Sequence, residues 1–491
     1  MIKAQRLKKV WKNCVDLQVG HPLGYFQPST PQEVITIIRE AERKGYKVKA
    51  VGSGHSFSDI ALTRDFLINT HKLNKILSTD LLSPLPAMDT AHLFVCECGV
   101  LIKQLNAALD ARKLALPNMG AYTGQTIAGA ISTATHGSGI TLGSLASLVE
   151  AVVMIGENGE VFHIERGQGI SAAPIQLGNV PVTLIQDDEA FLSSVVSMGC
   201  LGVTYALVLK VTDAYLLKEE RTFSSWEKVK KQLRREGLLG ANRHLEVLLN
   251  PYQTHTKGDH DCLITQRNIC EPETSTSWFR LHRAWFYTLV GWLMPNFLLN
   301  AILRFLFNTF PKSTPYLIQA SLKTLRDGCY IDKSFKVLDL GKANNIAAYS
   351  LEIAFPSASY QQAVEALFVI FGQIAADGEQ YITSPFSLRF VKTSAHYLAM
   401  QYGAKDDFVC MIEFPVLKGT VGGEEILSRI EHDMYRYGGI PHWGQYNHVG
   451  IGDHTLDKLY PQFYKWMANY RRFCKKGTFE NNFTERCRII A

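Results

Sequence analysis

Val51-Gly52-Ser53-Gly54-His55-Ser56-Phe57-Ser58-Asp59 is the stretch on which the fold turns. Lys47 to Val51 reads as a strand that runs directly into a turn of small residues. The turn is not G-x-G-x-x-G, because Phe57 and Ser58 stand where a third glycine belongs, and no Gly-Lys-Ser/Thr follows to make it a Walker loop. Consecutive backbone N–H groups in such a turn form an anion nest, although a tight strand-to-loop turn is the plainer reading. A second stretch changes the balance. Gly120, Gly124, Gly129, Gly137 and Gly139 lie within 20 residues, with Thr123, Thr126, Ser132, Thr133, Thr135 and Ser138 between them. Small side chains let a ligand lie against backbone, and hydroxyls donate to phosphate oxygens. Two such loops point to a large ligand with two phosphates, such as a dinucleotide. A close-packed core of small residues accounts for one loop more easily than for two.

Outward from the first loop, Thr30, Pro31 and Glu33 predict a helix start with N-cap, N1 proline and capping box. Val34, Ile37, Ile38 and Ala41 then share one helical face, and Gly45 ends the helix. Strands are expected near Phe66–Ile68 and over Leu93–Val100, followed by a helix burying Ile102, Leu105 and Leu109. Val149–Ile155 turns through Glu157-Asn158-Gly159 into Val161–Ile164, a hairpin. Leu201–Val211 is another strand. The class is α+β, and no regular 30-residue repeat is present.

The 491 residues exceed one ordinary core and predict three parts: 1–215, 216–425 and 426–491. Hydrophobic residues at 46% against 20% charged exclude a mainly disordered chain. A net charge of +6, from 51 basic and 45 acidic residues, is too mild to argue for nucleic acid. Ala284–Leu303 is 20 residues without a formal charge, within an apolar segment near 284–310, but Pro295, Asn296 and Asn300 interrupt it. Two packed helices broken near Pro295 are expected, with a membrane-dipping hairpin and peripheral membrane contact as the alternative.

Ten cysteines in a chain this long are no disulfide scaffold. Cys96 and Cys98 lie on one face of a strand and lack the partners a zinc site needs, so both are expected to be buried and no metal is expected. The basic N-terminus, with Lys3, Arg6, Lys8, Lys9 and Lys12, is followed by no apolar run, so a cytoplasmic setting is expected.

Val51–Asp59 also resembles the signature of the vanillyl-alcohol-oxidase-type flavoproteins. Ala134-Thr135-His136-Gly137-Ser138-Gly139 resembles their second FAD loop, and Gly199-Cys200-Leu201-Gly202-Val203 their third. His442-Trp443-Gly444, with Gly477-Thr478-Phe479 and Asn482-Phe483-Thr484-Glu485-Arg486, is similar to the sugar-1,4-lactone oxidase branch. The resemblance implies a two-subdomain FAD-binding domain of the PCMH type and a cap domain with a large antiparallel sheet. It also implies a C-terminal segment that returns to the flavin.

On the same grounds the cofactor residues are Val51, Gly52, Ser53, Gly54, His55, Ser56, Gly120, Thr123, Thr126, Gly129, Ser132, Thr133, His136, Gly137, Gly139, Gly202 and Val203. His55 stands where the family bonds histidine to the flavin; a neutral imidazole is a competent nucleophile, and a histidine that only hydrogen-bonds locally is the alternative. Gly120 stands where a glycine gives oxygen room beside the flavin and an alanine blocks it, which implies an oxidase. The sugar-oxidising relatives carry Glu-x-Arg on a strand facing the flavin; here the stretch is Ser387-Leu388-Arg389. Their lysine after His-Trp-Gly is Gln445 here. Arg389 would stabilise developing negative charge, and His442 would either accept the hydroxyl proton or serve structurally, packed beside Trp443.

The activity implied is oxidation of a sugar lactone or related alcohol, with O2 as acceptor and hydrogen peroxide as product. Ser387, Gln445 and the apolar stretch favour an alternative, a less polar alcohol or sterol. A flavin-binding protein without turnover is the other.

Overall fold

The computed structural model describes residues 10–491 except 87, 255–257, 272–295, 327–328, 341–346, 379 and 406. The first part of the chain carries a three-stranded parallel sheet in the order Gly24–Phe26, Phe66–Asn69, Val48–Val51. Helix Pro31–Arg43 links the two outer strands and buries Val34, Ile37, Ile38 and Ala41 as its periodicity predicts. Thr30 caps it, accepting the Glu33 N–H at 3.2 Å. The Glu33 carboxylate reaches one residue further back than a standard box, to the Ser29 N–H at 2.7 Å. Gly45, at φ +70°, supplies the left-handed turn that ends the helix.

Beside it lies a six-stranded sheet in the order Thr183–Gln186, Val161–Glu165, Val149–Ile155, Val203–Lys210, Leu93–Glu97, Ile76–Leu77. The predicted hairpin closes through Asn158 and Gly159, both at positive φ, with Ile155 opposite Val161. Cys96 and Cys98 are buried, and among the described residues no cluster of His, Cys, Asp and Glu is placed to hold a metal.

The second sheet is antiparallel and has eight strands: Cys329–Lys333, Leu216–Ser225, Asp261–Cys270, His244–Leu249, Phe386–Lys392, Phe408–Leu417, Ala348–Pro356 and Ile440–Pro441 in spatial order. Its two faces differ because side chains alternate along a strand. Val247, Leu388, Ile412 and Ile353 join one buried apolar core with residues such as Leu367 and Phe371 of helix Tyr360–Gly378 and Ile430 of helix Gly423–Met434. The opposite face carries Glu219, Arg221, Arg267, Glu246, Ser387, Arg389, Glu413 and Glu352 and turns towards the glycine loops.

The chain beyond Gly438 knits the two parts together. Ile440–Pro441 adds an edge to the eight-stranded sheet beside Ala348–Pro356. Immediately after it, the Phe57 N–H donates to Gly444 O at 2.8 Å and the Ser58 hydroxyl to Trp443 O at 2.6 Å. Helix Phe463–Phe473 then packs on helix Asp188–Val195, with Trp466 Nε1 donating to Ser193 O at 3.0 Å. The buried Glu157 carboxylate, in the hairpin turn, accepts the N–H groups of Lys475, Lys476 and Thr478 at 2.7, 2.9 and 3.1 Å.

The apolar segment falls partly outside the described residues: 284–295 do, while Asn296–Thr309 is a helix. Among the described residues no helix is long and apolar enough to cross a membrane.

Removing the Glu157 carboxylate strands three backbone donors. Glu157→Ala is expected to destabilise the protein by about 2–4 kcal/mol, read as a lower urea midpoint, with Glu157→Gln recovering part of the loss. An unchanged midpoint would show that the tail is not held there.

Candidate active site

The strand Val48–Val51 ends on a loop whose backbone needs close approaches. Gly54 sits at φ +71°, and a Cβ on Gly52 would stand 2.0 Å from Thr126 Oγ1. Glycine therefore lets the 52–56 loop pack on the segment that enters helix Ile127–Ser132. Met198 and Gly199, both at positive φ, bring the third loop to the same place, where a Cβ on Gly199 would meet nothing within 4 Å. Beneath it the buried Lys49 Nζ donates to the carbonyls of Met198 and Gly199 at 3.4 Å.

These loops and the charged sheet face enclose one cavity of about 910 Å³, at the large end of small-molecule sites. Among the residues expected to hold cofactor, Val51, Gly52, Ser53, Gly54, His55, Ser56, Gly120, Thr126, Gly129, Ser132, Thr133, His136 and Gly202 line it. So do Ser387, Arg389, His442 and Gln445 from the other side.

Four expected cofactor residues lie elsewhere. Thr123 gives its hydroxyl to Asp339 at 3.0 Å. Gly137 is pressed on the Asn118 side chain, where a Cβ would lie 2.1 Å from Oδ1. Gly139 bonds through its N–H to Phe390 O, joining the loop to the sheet. Val203 is buried in the core of the six-stranded sheet. None of the four lines the cavity.

His55 stands against Tyr122, ring centroids 4.1 Å apart, and burial lowers its pKa to about 4. Its imidazole is therefore neutral at physiological pH. Burial likewise brings His442 down to about 4, against the pull of Glu352. His442 Nδ1 accepts the Gly444 N–H at 2.9 Å, so the neutral ring carries its proton on Nε2, which faces Glu352 at 4.0 Å. His442 thus presents a donor. The proton-accepting role expected for it does not fit, because its acceptor nitrogen is already taken.

The carboxylates were missed by sequence reasoning. Glu352 lies on the 348–356 strand, 3.1 Å from His136 Nε2; His136 Nδ1 faces Gly137 O at 2.8 Å. Burial pushes the Glu352 carboxyl up, but His136, His442 and Arg389 outweigh it and hold it well below the usual range. Glu413 sits directly across from Glu352 in the antiparallel register. Burial and the Glu352 and Glu246 charges raise its pKa against the opposing pull of Arg389 and Ser350. Arg389 bridges two strands, donating to Glu246 Oε1 at 3.1 Å and to Glu413 Oε2 at 2.7 Å. Arg267 extends the row, reaching Glu219 at 2.7 Å and Glu246 at 3.5 Å. The available signal was a single carboxylate set within an otherwise apolar strand, as Glu413 is in Phe408–Leu417 and Glu352 in Ala348–Pro356.

Residues 22–165 match the FAD binding domain family, and residues 207–487 match the D-arabinono-1,4-lactone oxidase family. The chain is similar to the L-gulono-1,4-lactone dehydrogenase of Mycobacterium tuberculosis, 25% identical over 98% of this chain and 99% of that one. It is also similar to the L-gulonolactone oxidase of Bos taurus, 24% identical over 95% of each chain. The D-arabinono-1,4-lactone oxidase of Saccharomyces cerevisiae is 26% identical over 50% of this chain and 42% of its own length. Among solved structures, the cholesterol oxidase of B. sterolicum shares the fold with a TM-score of 0.74 at 14% identity, over 99% of this chain and 97% of that one.

The contact between the first two loops is testable. A methyl group at 52 meets Thr126 Oγ1 at 2.0 Å, so Gly52→Ala is expected to lower the flavin-to-protein absorbance ratio several-fold. Thr126→Ala in the same chain should restore part of it. Full flavin content in Gly52→Ala would show that the loops do not need to touch.

Proposed function

The chain belongs to the D-arabinono-1,4-lactone oxidase family, and we propose that it oxidises the hydroxyl-bearing carbon of a sugar-1,4-lactone, D-arabinono-like, or of a related small polar alcohol. The observation that carries this reading is that Arg389, clamped by Glu246 and Glu413, opens into the same cavity as Gly52–Ser56. The protein is an FAD-dependent oxidoreductase acting on CH–OH groups. The residues present suit FAD, with glycine backbones crossing the cavity wall and an uncharged imidazole at His55. Bound FAD supplies the hydride acceptor, and its reduced form returns electrons to oxygen or another acceptor.

Arg389 stays charged, and its guanidinium is fixed by two carboxylates on neighbouring strands, so it needs no reorganisation to stabilise negative charge on a substrate oxygen. The His442 Nε2–H offers a second donor on that side. The sheet face is lined with charges, and burying an apolar sterol skeleton against them would desolvate them without compensation. A lactone with several hydroxyls satisfies them instead. The Gln445 amide lies 2.8 Å from the Ser350 hydroxyl and lines the cavity, where it can hydrogen-bond a substrate hydroxyl.

Oxygen uptake measured across D-arabinono- and L-gulono-1,4-lactone, polyols and hydrophobic alcohols tests the substrate class. The highest kcat/KM is expected with a lactone; turnover of sterols alone would reverse the reading.

His55 is proposed to carry FAD covalently. Flavin colour should then stay in the acid-precipitated pellet of the wild type and move to the supernatant in His55→Ala. Because a neutral ring is the nucleophile and its pKa is held near 4, flavin attachment to apoprotein should stay constant from about pH 8 to about pH 5, where an ordinary histidine would already be protonated. Attachment that halves near pH 6.5 would contradict a buried, neutral His55.

Gly120 is proposed to leave oxygen its approach. A Cβ there would lie 3.1 Å from Thr135 Cγ2 and 3.4 Å from His136 O, tight but tolerable. Gly120→Ala is therefore expected to fold, to lose oxygen-dependent turnover by about tenfold or more, and to keep turnover with an artificial electron acceptor. Equal loss with both acceptors would remove the role in oxygen access.

A further inference from the structure

Ser387 lines the cavity two residues before Arg389, and a carboxylate stands beside it on the neighbouring strand. In the antiparallel register Ser387 lies directly opposite Glu413, a pairing that brings both side chains to one face within about 5 Å at Cβ. Glu413 Oε2 accepts from Arg389 Nη2 at 2.7 Å and Oε1 from the Ser350 hydroxyl at 3.0 Å. Each carboxylate oxygen can accept a further hydrogen bond. Ser387 is only 4% exposed, lines the cavity, and its hydroxyl has no hydrogen-bond partner. An unpaired hydroxyl buried beside a half-satisfied carboxylate marks a place that a polar ligand completes.

We infer that Glu413 binds the reacting hydroxyl of the substrate and takes its proton. In that step the substrate O–H bond breaks, its electron pair stays on the substrate oxygen, and the proton neutralises Glu413. Arg389 and Ser350 hold the carboxylate in place. The Ser387 hydroxyl is left to hydrogen-bond the same substrate group.

The surroundings agree with this role. Facing Glu413 are Arg389 on one neighbouring strand, with Glu246 one strand beyond it, and Glu352 and Ser350 on the strand to the other side. His136 and His442 stand behind Glu352. Burial and Glu352 raise the Glu413 carboxyl, while Glu352 itself stays ionised among its histidines. Two neighbouring carboxyls driven apart in this way can divide their roles, one a fixed charge and one a base. His442, whose acceptor nitrogen is occupied by Gly444, leaves the base position open.

The inference rests on the lactone-oxidising reading, and the test separates the two. In FAD-loaded enzyme, Glu413→Gln is expected to lower kcat/KM for the preferred lactone by about 10²–10³, to abolish the rise of kcat/KM on the acidic limb, and to weaken lactone binding measured by calorimetry. Ser387→Glu alone places two carboxylates opposite each other and should also impair the enzyme. The exchange of both, Ser387→Glu with Glu413→Ser, should regain at least tenfold over Glu413→Ser. If the wild type oxidises lactone and Glu413→Gln keeps its rate and pH profile, the inference is wrong. If Glu413→Gln fails to fold, an exchange variant that folds and regains nothing overturns it equally. A wild type that oxidises no lactone refutes the substrate reading itself.

Discussion

The guanidinium of Arg389 between Glu246 and Glu413 is the contact on which the cavity depends. Buried ions are costly unless each is matched, and here the match runs through a row. Glu219 lies opposite Arg267 and Glu246 opposite Arg389 across adjacent strands. The same strands bury Val247, Leu388 and Ile412 on the other face. A slip of one residue would drive charges into that apolar core and expose its side chains to the cavity. Charge pairing on one face and hydrophobic burial on the other therefore specify one register together.

That register also sets two acidic side chains against each other. Glu352 and Glu413 are directly opposed carboxyls in a buried setting. The resolution is asymmetric: His136 beside Glu352 holds that carboxyl as an anion, while burial and the Glu352 and Glu246 charges raise Glu413 against the pull of Arg389. Desolvation leaves His55 and His442 uncharged, so neither adds a cation to this pattern. A site with fixed charges, open donors and glycine-lined backbone suits a polyhydroxylated substrate beside a dinucleotide.

Sharing a fold with a cholesterol oxidase does not decide the substrate, since one scaffold carries many pockets. The side chains on the inner face of the eight-stranded sheet decide it. Their position over the glycine loops relies in turn on the C-terminal chain. Backbone bonds from Phe57 and Ser58 to Gly444 and Trp443 tie the His-Trp-Gly segment to the first loop. Asp59 then pairs with Arg486 at 2.8 Å. Residues more than 380 apart in sequence thus share one wall.

Short-range physics was legible in the sequence. The Thr30–Gly45 helix with its caps, the Asn158-Gly159 hairpin and the small-residue turn after Val51 each follow from residues a few places apart, because hydrogen-bond capping and allowed φ are local matters. The resemblance to flavoproteins added which loops would face one ligand, and most of those residues do line one cavity. What only the tertiary structure decided is what comes from different strands. Glu246, Glu352 and Glu413 gain meaning from sheet order and register, which place them around Arg389 although no spacing in the chain links them. The proton on His442 was decided by a local contact, the Gly444 N–H that occupies Nδ1, which the backbone conformation after Pro441 brings into place. Thr123, Gly137 and Gly139 looked like ligand residues because small size serves a tight backbone crossing as well as a cofactor, and Val203 because it ends the stretch that resembles the third loop. Only the packed structure tells which neighbour fills the space.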